Sequence, residues 1–186
     1  MDSSDEHGLS RLDGLENAHR AAFAAFARPT SDPDRRATTA VAGHSIEPTA
    51  NPELVRRVYE AQEGTIDLIP GRGSIACVVI SSSGESFGGA TAIELAVKDG
   101  LGYVKHTHSP NAPKHDEVTF MGVLPTGATD LRIKTNSGGT IPVPLTRDGA
   151  YWITTREAQD LYWTRSDGTI HQHMFGRFRS RLFESE

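Results

Sequence analysis

Cysteine occurs once in the 186 residues, at Cys77, so no disulfide can form within the chain and the fold must hold by packing alone, as suits a reducing compartment. Long apolar runs are absent too. The longest, Ile75 to Ile80, falls far short of the roughly twenty residues that a membrane helix needs. Aromatic residues make up 7% and hydrophobic residues 37%, at a mean hydropathy of −0.41, which leaves apolar side chains for one core provided that part of the chain stays outside it. Basic excess is missing as well. With 24 Asp+Glu against 19 Lys+Arg the net charge is −5. The single basic cluster, Arg177, Arg179 and Arg181, is too small to give the cationic face that nucleic acid requires. The start, Met1-Asp2-Ser3-Ser4-Asp5-Glu6, has neither the positive nor the apolar region of an export signal. These lacks predict a soluble cytoplasmic protein that neither inserts into a membrane nor binds nucleic acid.

What is present divides at about residue 50. Residues 1–50 are rich in Asp, Arg, Ala, Ser, Thr and Pro and read as a flexible N-terminal arm, because so few large apolar side chains cannot offset the entropy of ordering it. Its one periodic piece, Ser10 to Ala27, places Leu12, Leu15, Ala22, Phe23 and Phe26 near helical spacing and stops at Arg28-Pro29. A linker is expected from Thr30 to Ala50. Residues 51–186 read as a single mainly β domain. Asn51-Pro52-Glu53 is a helix start, with an Asn cap, a proline where no donor is needed and an acid at the positive end, and a short helix through Tyr59 is expected.

Beyond Tyr59 the period changes to two. Thr65–Ile69 and Ser74–Ile80 read as a hairpin around Pro70-Gly71-Arg72-Gly73, the second strand apolar on both faces and therefore central, with Cys77 inside as inert packing. Thr91-Ala92-Ile93-Glu94 matches a capping box opening a two-turn helix that ends at Asp99-Gly100. Seven further short strands follow, separated by glycine-bearing turns, which predicts an antiparallel β-sandwich or barrel with short helices, an α+β chain dominated by β. Pro142 and Pro144 share parity, so their strand belongs at an edge. If Asp167-Gly168 is a two-residue turn, Thr164 faces His171, Trp163 faces Gln172 and Tyr162 faces His173, with Leu161, Trp163, Ile170 and Met174 on the buried face.

Several segments taken in order (Phe26 to Pro29, Asn51 to Arg57, Leu68 to Gly73 with Cys77 after it, and Gly122 to Ala128) resemble an uncharacterised group of actinobacterial proteins over most of Ala22 to Thr169. The resemblance implies a shared fold and no activity, since its motifs are turn and strand signatures. Members of the group often carry a second cysteine just after the glycines that are Gly88 and Gly89 here, where this chain has Ala90.

Eight histidines include two His-x-His pairs, and on a strand residues i and i+2 share a face, so His106 and His108 with His115 have the spacing of a three-ligand Zn²⁺ site. A Zn-binding protein or zinc-dependent enzyme is thus one reading. Against it, residues 108–117 form a proline-rich polar stretch, and no nucleophile, base and orienting group can be assembled anywhere. The leading reading is therefore a non-catalytic interaction or structural module without a cofactor, binding a protein partner. Candidate contact residues are Tyr162, His171 and His173 on the last hairpin, with Arg177, Arg179 and Arg181 among the phenylalanines of the tail.

Overall fold

Phe23 interrupts the helical pattern expected over residues 10–27. In the computed structural model, which describes residues 17–42, 50–107, 117–156 and 158–173 (backbone alone at 159 and 173), a helix over 17–22 (α1) stops where Phe23 turns extended, at φ −137° and ψ 129°. A four-residue helix, α2 (Ala24–Ala27), follows, and the break sends the Phe23 ring fully into the core beside Ala22, Ala25 and Phe26. The stretch expected as a linker contains a helix, α3 (Asp32–Val41), with Pro33 in its first turn and Ala37 and Val41 buried. Asn51 caps as its sequence demands, its Oδ1 accepting the Glu53 N–H at 3.1 Å. Yet only a 3-10 turn forms, Pro52–Leu54, and the chain enters strand β1 (Arg56–Ala61) instead of continuing as a helix through Tyr59. Burial of Val55 and Val58 in the sheet overrides the local cap.

The remaining elements are β2 (Gly64–Pro70), β3 (Ser74–Ser81), β4 (Ser86–Ala92), α4 (Ile93–Asp99), β5 (Leu101–Thr107), β6 (Glu117–Val123), β7 (Thr129–Thr135), β8 (Thr140–Pro142), β9 (Ala150–Thr155), β10 (Ala158–Thr164) and β11 (Ile170–His173). The described strands form three sheets, ordered β1-β2-β3-β4, β11-β10-β7-β8 and β5-β6-β9, and none closes into a barrel. Helix α4 lies where expected and ends at Gly100, but Ala92 is its N-cap and no side chain caps it. No helix among the described residues is long and apolar enough to cross a membrane.

One loop form recurs four times. Ser81 donates its N–H to Glu85 O, Thr135 to Gly139 O, Thr146 to Ala150 O and Arg165 to Thr169 O, each at 2.8–2.9 Å. The third residue of every enclosed triplet is a glycine at φ between 79° and 85° (Gly84, Gly138, Gly149, Gly168). This is the three-residue hairpin, a turn followed by a left-handed glycine bulge. It takes one more residue than the two-residue turn expected at Asp167-Gly168, and the register of the last hairpin therefore moves by one: Thr164 opposes Ile170, Trp163 opposes His171, Tyr162 opposes Gln172 and Leu161 opposes His173.

The chain divides into two compact units, Met1–Tyr103 with Met121–Thr126 and Leu145–Trp152, and Val104–Phe120 with Gly127–Pro144 and Ile153–Glu186. In the first, the β1-β4 sheet is covered on both faces. Ile66, Leu68, Ile75, Cys77 and Val79 pack with Phe23, Phe26, Leu101, Met121, Val123 and Ala150. Ile69, Ala76 and Val78 pack with Ala37, Val41 and Val55. That is why β3 is apolar at both parities. In the second unit Leu131, Ile133, Val143, Leu161 and Trp163 are buried, and β8 is an edge strand with Pro142 opposite Arg132, as the proline parity requires.

The helical segments of the first unit are tied to its sheet by charge. The Arg28 guanidinium forks onto Asp34 (Nη1–Oδ2 2.6 Å, Nη2–Oδ1 3.0 Å), donates through Nε to Asp148 at 2.8 Å and through Nη2 to the Arg57 carbonyl at 2.9 Å. Asp34 also accepts the backbone N–H groups of Ser31 (2.6 Å) and Arg57 (2.8 Å). Burial pushes its carboxyl up, but Arg28, Ser31 and Arg57 together outweigh burial and hold it at about 2. Beside this clasp Arg57 forks onto Asp67 (2.9 and 3.0 Å); there burial outweighs the guanidinium and Asp67 stands above the ordinary carboxylate range.

Two predictions follow from this packing. Asp34→Asn removes one partner of a mostly buried pair and lowers stability by about 3 kcal/mol in urea titrations at neutral pH. Because the folded carboxyl sits below its unfolded value, its stabilisation is present above about pH 4 and lost as pH falls toward 2. The acid limb of the stability profile therefore flattens in Asp34→Asn and persists in Asp67→Asn, whose raised carboxyl contributes with the opposite sign. The second concerns Gly102 and Gly122, over which the Tyr151 hydroxyl lies so closely that a Cβ at either would sit 2.7 Å from it. Gly102→Ala costs roughly 1–3 kcal/mol. Tyr151→Phe in the same chain restores part of that loss, whereas Gly122→Ala is not rescued, because its Cβ also meets the Leu101 carbonyl at 2.2 Å. Thermal denaturation of the two pairs checks this.

Candidate interaction surface

The shifted register rearranges the residues expected to meet on the last hairpin. Antiparallel partners share a face, so Tyr162 lies with Gln172 and Arg132, while Trp163 lies with His171 on the opposite face. The Tyr162 hydroxyl donates to Asp160 Oδ2 at 3.4 Å, and Gln172 Nε2 donates to the same oxygen at 3.0 Å. His171 stacks on Trp163 with centroids 4.1 Å apart and reaches the Arg165 guanidinium through Nδ1. Ile170, expected on the buried face, is instead 73% exposed. His173 is placed opposite Leu161. Arg177, Arg179 and Arg181 lie outside the described residues, as do Met174, His108 and His115. Of the three expected Zn²⁺ ligands the structure places His106, exposed on β5, and no group of three His, Cys, Asp or Glu that could hold a metal occurs among the described residues.

Other candidate chemistry resolves into local structure. Gly71 to Ser74 closes the β2–β3 hairpin, with Gly71 N–H donating to Ser74 O at 3.0 Å, and leads from strand to strand rather than into a phosphate-binding helix. The hydroxyls of Ser81 and Ser83 bond to each other and to Glu85 in their turn. Glu117 pairs with Arg156 at 2.9 Å. Cys77 is fully buried, and burial raises its thiol far above the thiolate range, so it is not a nucleophile.

One surface was not foreseen from the residues. The segment Ser86-Phe87-Gly88-Gly89-Ala90-Thr91-Ala92 is strand β4, paired along its length with β3 from Ser86↔Ile80 to Ala92↔Ser74. Its glycine pair, with Phe87 as the one large apolar residue, hides it from propensity. The faint signal is alternation, with Phe87, Gly89 and Thr91 opposite Val79, Cys77 and Ile75 on one face. Hydrogen bonding can be phased from both ends of the strand. Ser81 N–H meets Glu85 O at 2.8 Å and Ile93 N–H meets Gly73 O at 3.2 Å, so residues of odd number turn their N–H and C=O toward β3. By the antiparallel alternation, Ser86, Gly88, Ala90 and Ala92 turn theirs outward at the end of the sheet.

The other ends of the two four-stranded sheets are blunted. On β1 the Arg57 N–H is taken by Asp34, β8 carries Pro142, and on β11 His171 sits beside Arg165. By contrast, β4 is seven residues long, uncharged and free of proline, with five of its residues exposed. Helix α4 leaves its end with Leu95 at 52% and Val97 at 43% exposure, two of the three large apolar side chains that stand out among the described residues. Among the described residues, this edge leaves a row of donors and acceptors turned outward beside an apolar flank, a form along which extended backbone can pair. No protein-family model matches this chain, and neither a curated protein nor a solved structure does.

Proposed function

We propose that this protein is a non-catalytic interaction module that takes up an extended segment of a protein partner along β4, adding it as a strand to the four-stranded sheet. The observation that carries this reading is the uncharged outer edge formed by Ser86, Gly88, Ala90 and Ala92, where the other ends of the two four-stranded sheets are blunted. Backbone pairing there supplies affinity with little sequence demand, and Leu95 and Val97 favour an apolar residue at the end of the incoming segment. No charge on the strand steers or repels a partner. The single cysteine, buried within β3, suits work in the cytoplasm.

Selection of phage-displayed random heptapeptides on the immobilised protein tests the reading. Enriched clones are expected to be uncharged and free of proline. Ala90→Pro deletes an N–H that faces away from β3, leaves the sheet intact, and should lower their recovery at least about tenfold, equivalent to one or two backbone hydrogen bonds at ~1 kcal/mol each. Absence of enrichment, or equal recovery on Ala90→Pro, overturns it.

A further inference from the structure

We infer that the strand received by β4 is β4 of a second copy of this chain, the two sheets joining antiparallel about a two-fold axis through Gly89. The inference rests on the edge-recognition reading above and names its partner. Register arithmetic supports it. An axis at Gly89 brings Ser86 opposite Ala92, Phe87 opposite Thr91, Gly88 opposite Ala90 and Gly89 opposite itself. Each residue with outward N–H and C=O groups then meets another such residue, so Ser86, Gly88, Ala90 and Ala92 are all satisfied on both copies and no outward group of the strand is left over. Moving the axis by half a residue sets outward groups against inward ones, and moving it by a whole residue shortens the overlap.

The side chains agree with that axis. On the face shared with Val79 and Ile75, Phe87 meets Thr91, an aromatic to β-branched cross-strand pair of the favourable kind. The opposite face joins only Ser, Ala and Gly. Strand β4 bears no charge, so pairing it with a second copy of itself brings no like charges together within the strand. Neither Gly88 nor Gly89 adopts a positive φ, and the strand is already extended for pairing. An interface of one seven-residue edge flanked by Leu95 and Val97 is at the small end of specific association, so the dimer dissociates on dilution.

Sedimentation velocity of the full chain from low micromolar to submillimolar concentration, with Ala90→Pro, Ala90→Lys and Gly89→Cys alongside, tests this. The expected result is a concentration-dependent dimer that both Ala90 variants shift to monomer, with folding of each variant checked by near-UV circular dichroism. Ala90→Lys keeps the backbone donor, adds only an exposed charge, and serves if proline perturbs the strand. Gly89 lies opposite itself at a non-hydrogen-bonded position, where Cα atoms approach to about 4.5 Å, so Gly89→Cys should close an intersubunit disulfide under mild oxidant, with Cys77→Ala in the same chain because Cys77 is the β3 partner of Gly89. A Cβ at Gly89 meets only the Tyr103 hydroxyl, at 3.5 Å, which is ordinary contact. A monomer at every concentration, or a dimer indifferent to both Ala90 variants, overturns the inference. A monomer that still selects heptapeptides in an Ala90→Pro-sensitive way overturns the second copy alone and leaves edge recognition standing; failure of both assays removes both.

Discussion

The Arg28–Asp34 ion pair is the contact on which the first unit depends, because it fastens the α2–α3 corner to two segments distant in sequence. Arg28 follows α2, Asp34 lies in the first turn of α3, and their further partners come from β1 and from the loop at Asp148, 120 residues away. A guanidinium has five donors and no acceptor; here it is shared among two carboxylates, two carbonyls and the Ser31 hydroxyl, while Asp34 uses its remaining lone pairs on backbone donors of Ser31 and Arg57. The arrangement satisfies both charges, which is the condition under which a desolvated pair holds geometry rather than costing stability. It lets short helices of little intrinsic stability cover both faces of the sheet.

Much of the fold could be read from the residues. Strand β3 announced itself by apolar residues at both parities, Pro142 marked an edge, and Gly100 ended α4. What escaped was decided by contacts distant in sequence. Asp32–Val41 has a proline, two arginines and two threonines; Ser31 and Asp34 box its start locally, but what holds it as a helix on the sheet is that Ala37 and Val41 find Ile69, Ala76 and Val78. The Asn51 cap was legible, but not the strand pairing that cuts its helix to one turn. At Asp167-Gly168 the residues fit both a two-residue and a three-residue turn, and the difference of one residue separates Tyr162 from His171 across the sheet.

The candidate surface was nearly invisible for a related reason. Sequence reading finds sites through side chains with chemistry, and β4 presents almost none; what it offers is backbone, which every residue has. The expected histidine and arginine candidates drew attention because their side chains are distinctive. Strand β4 became apparent only once the neighbours of every strand were known.

The two-faced burial of the β1-β4 sheet also bears on the order in which the protein is made. The sheet is complete by Ala92, and α1 to α3 precede it, but one of its faces is finished by Leu101, Met121, Val123 and Ala150, and the clasp by Asp148. While the ribosome is still adding those residues, the nascent sheet carries an apolar face without its full cover beside an open edge, the combination that makes partly folded chains associate. Synthesis of the later strands therefore has to keep pace with folding of the earlier ones, and a pause in translation between residues 92 and 150 leaves the growing chain at its stickiest.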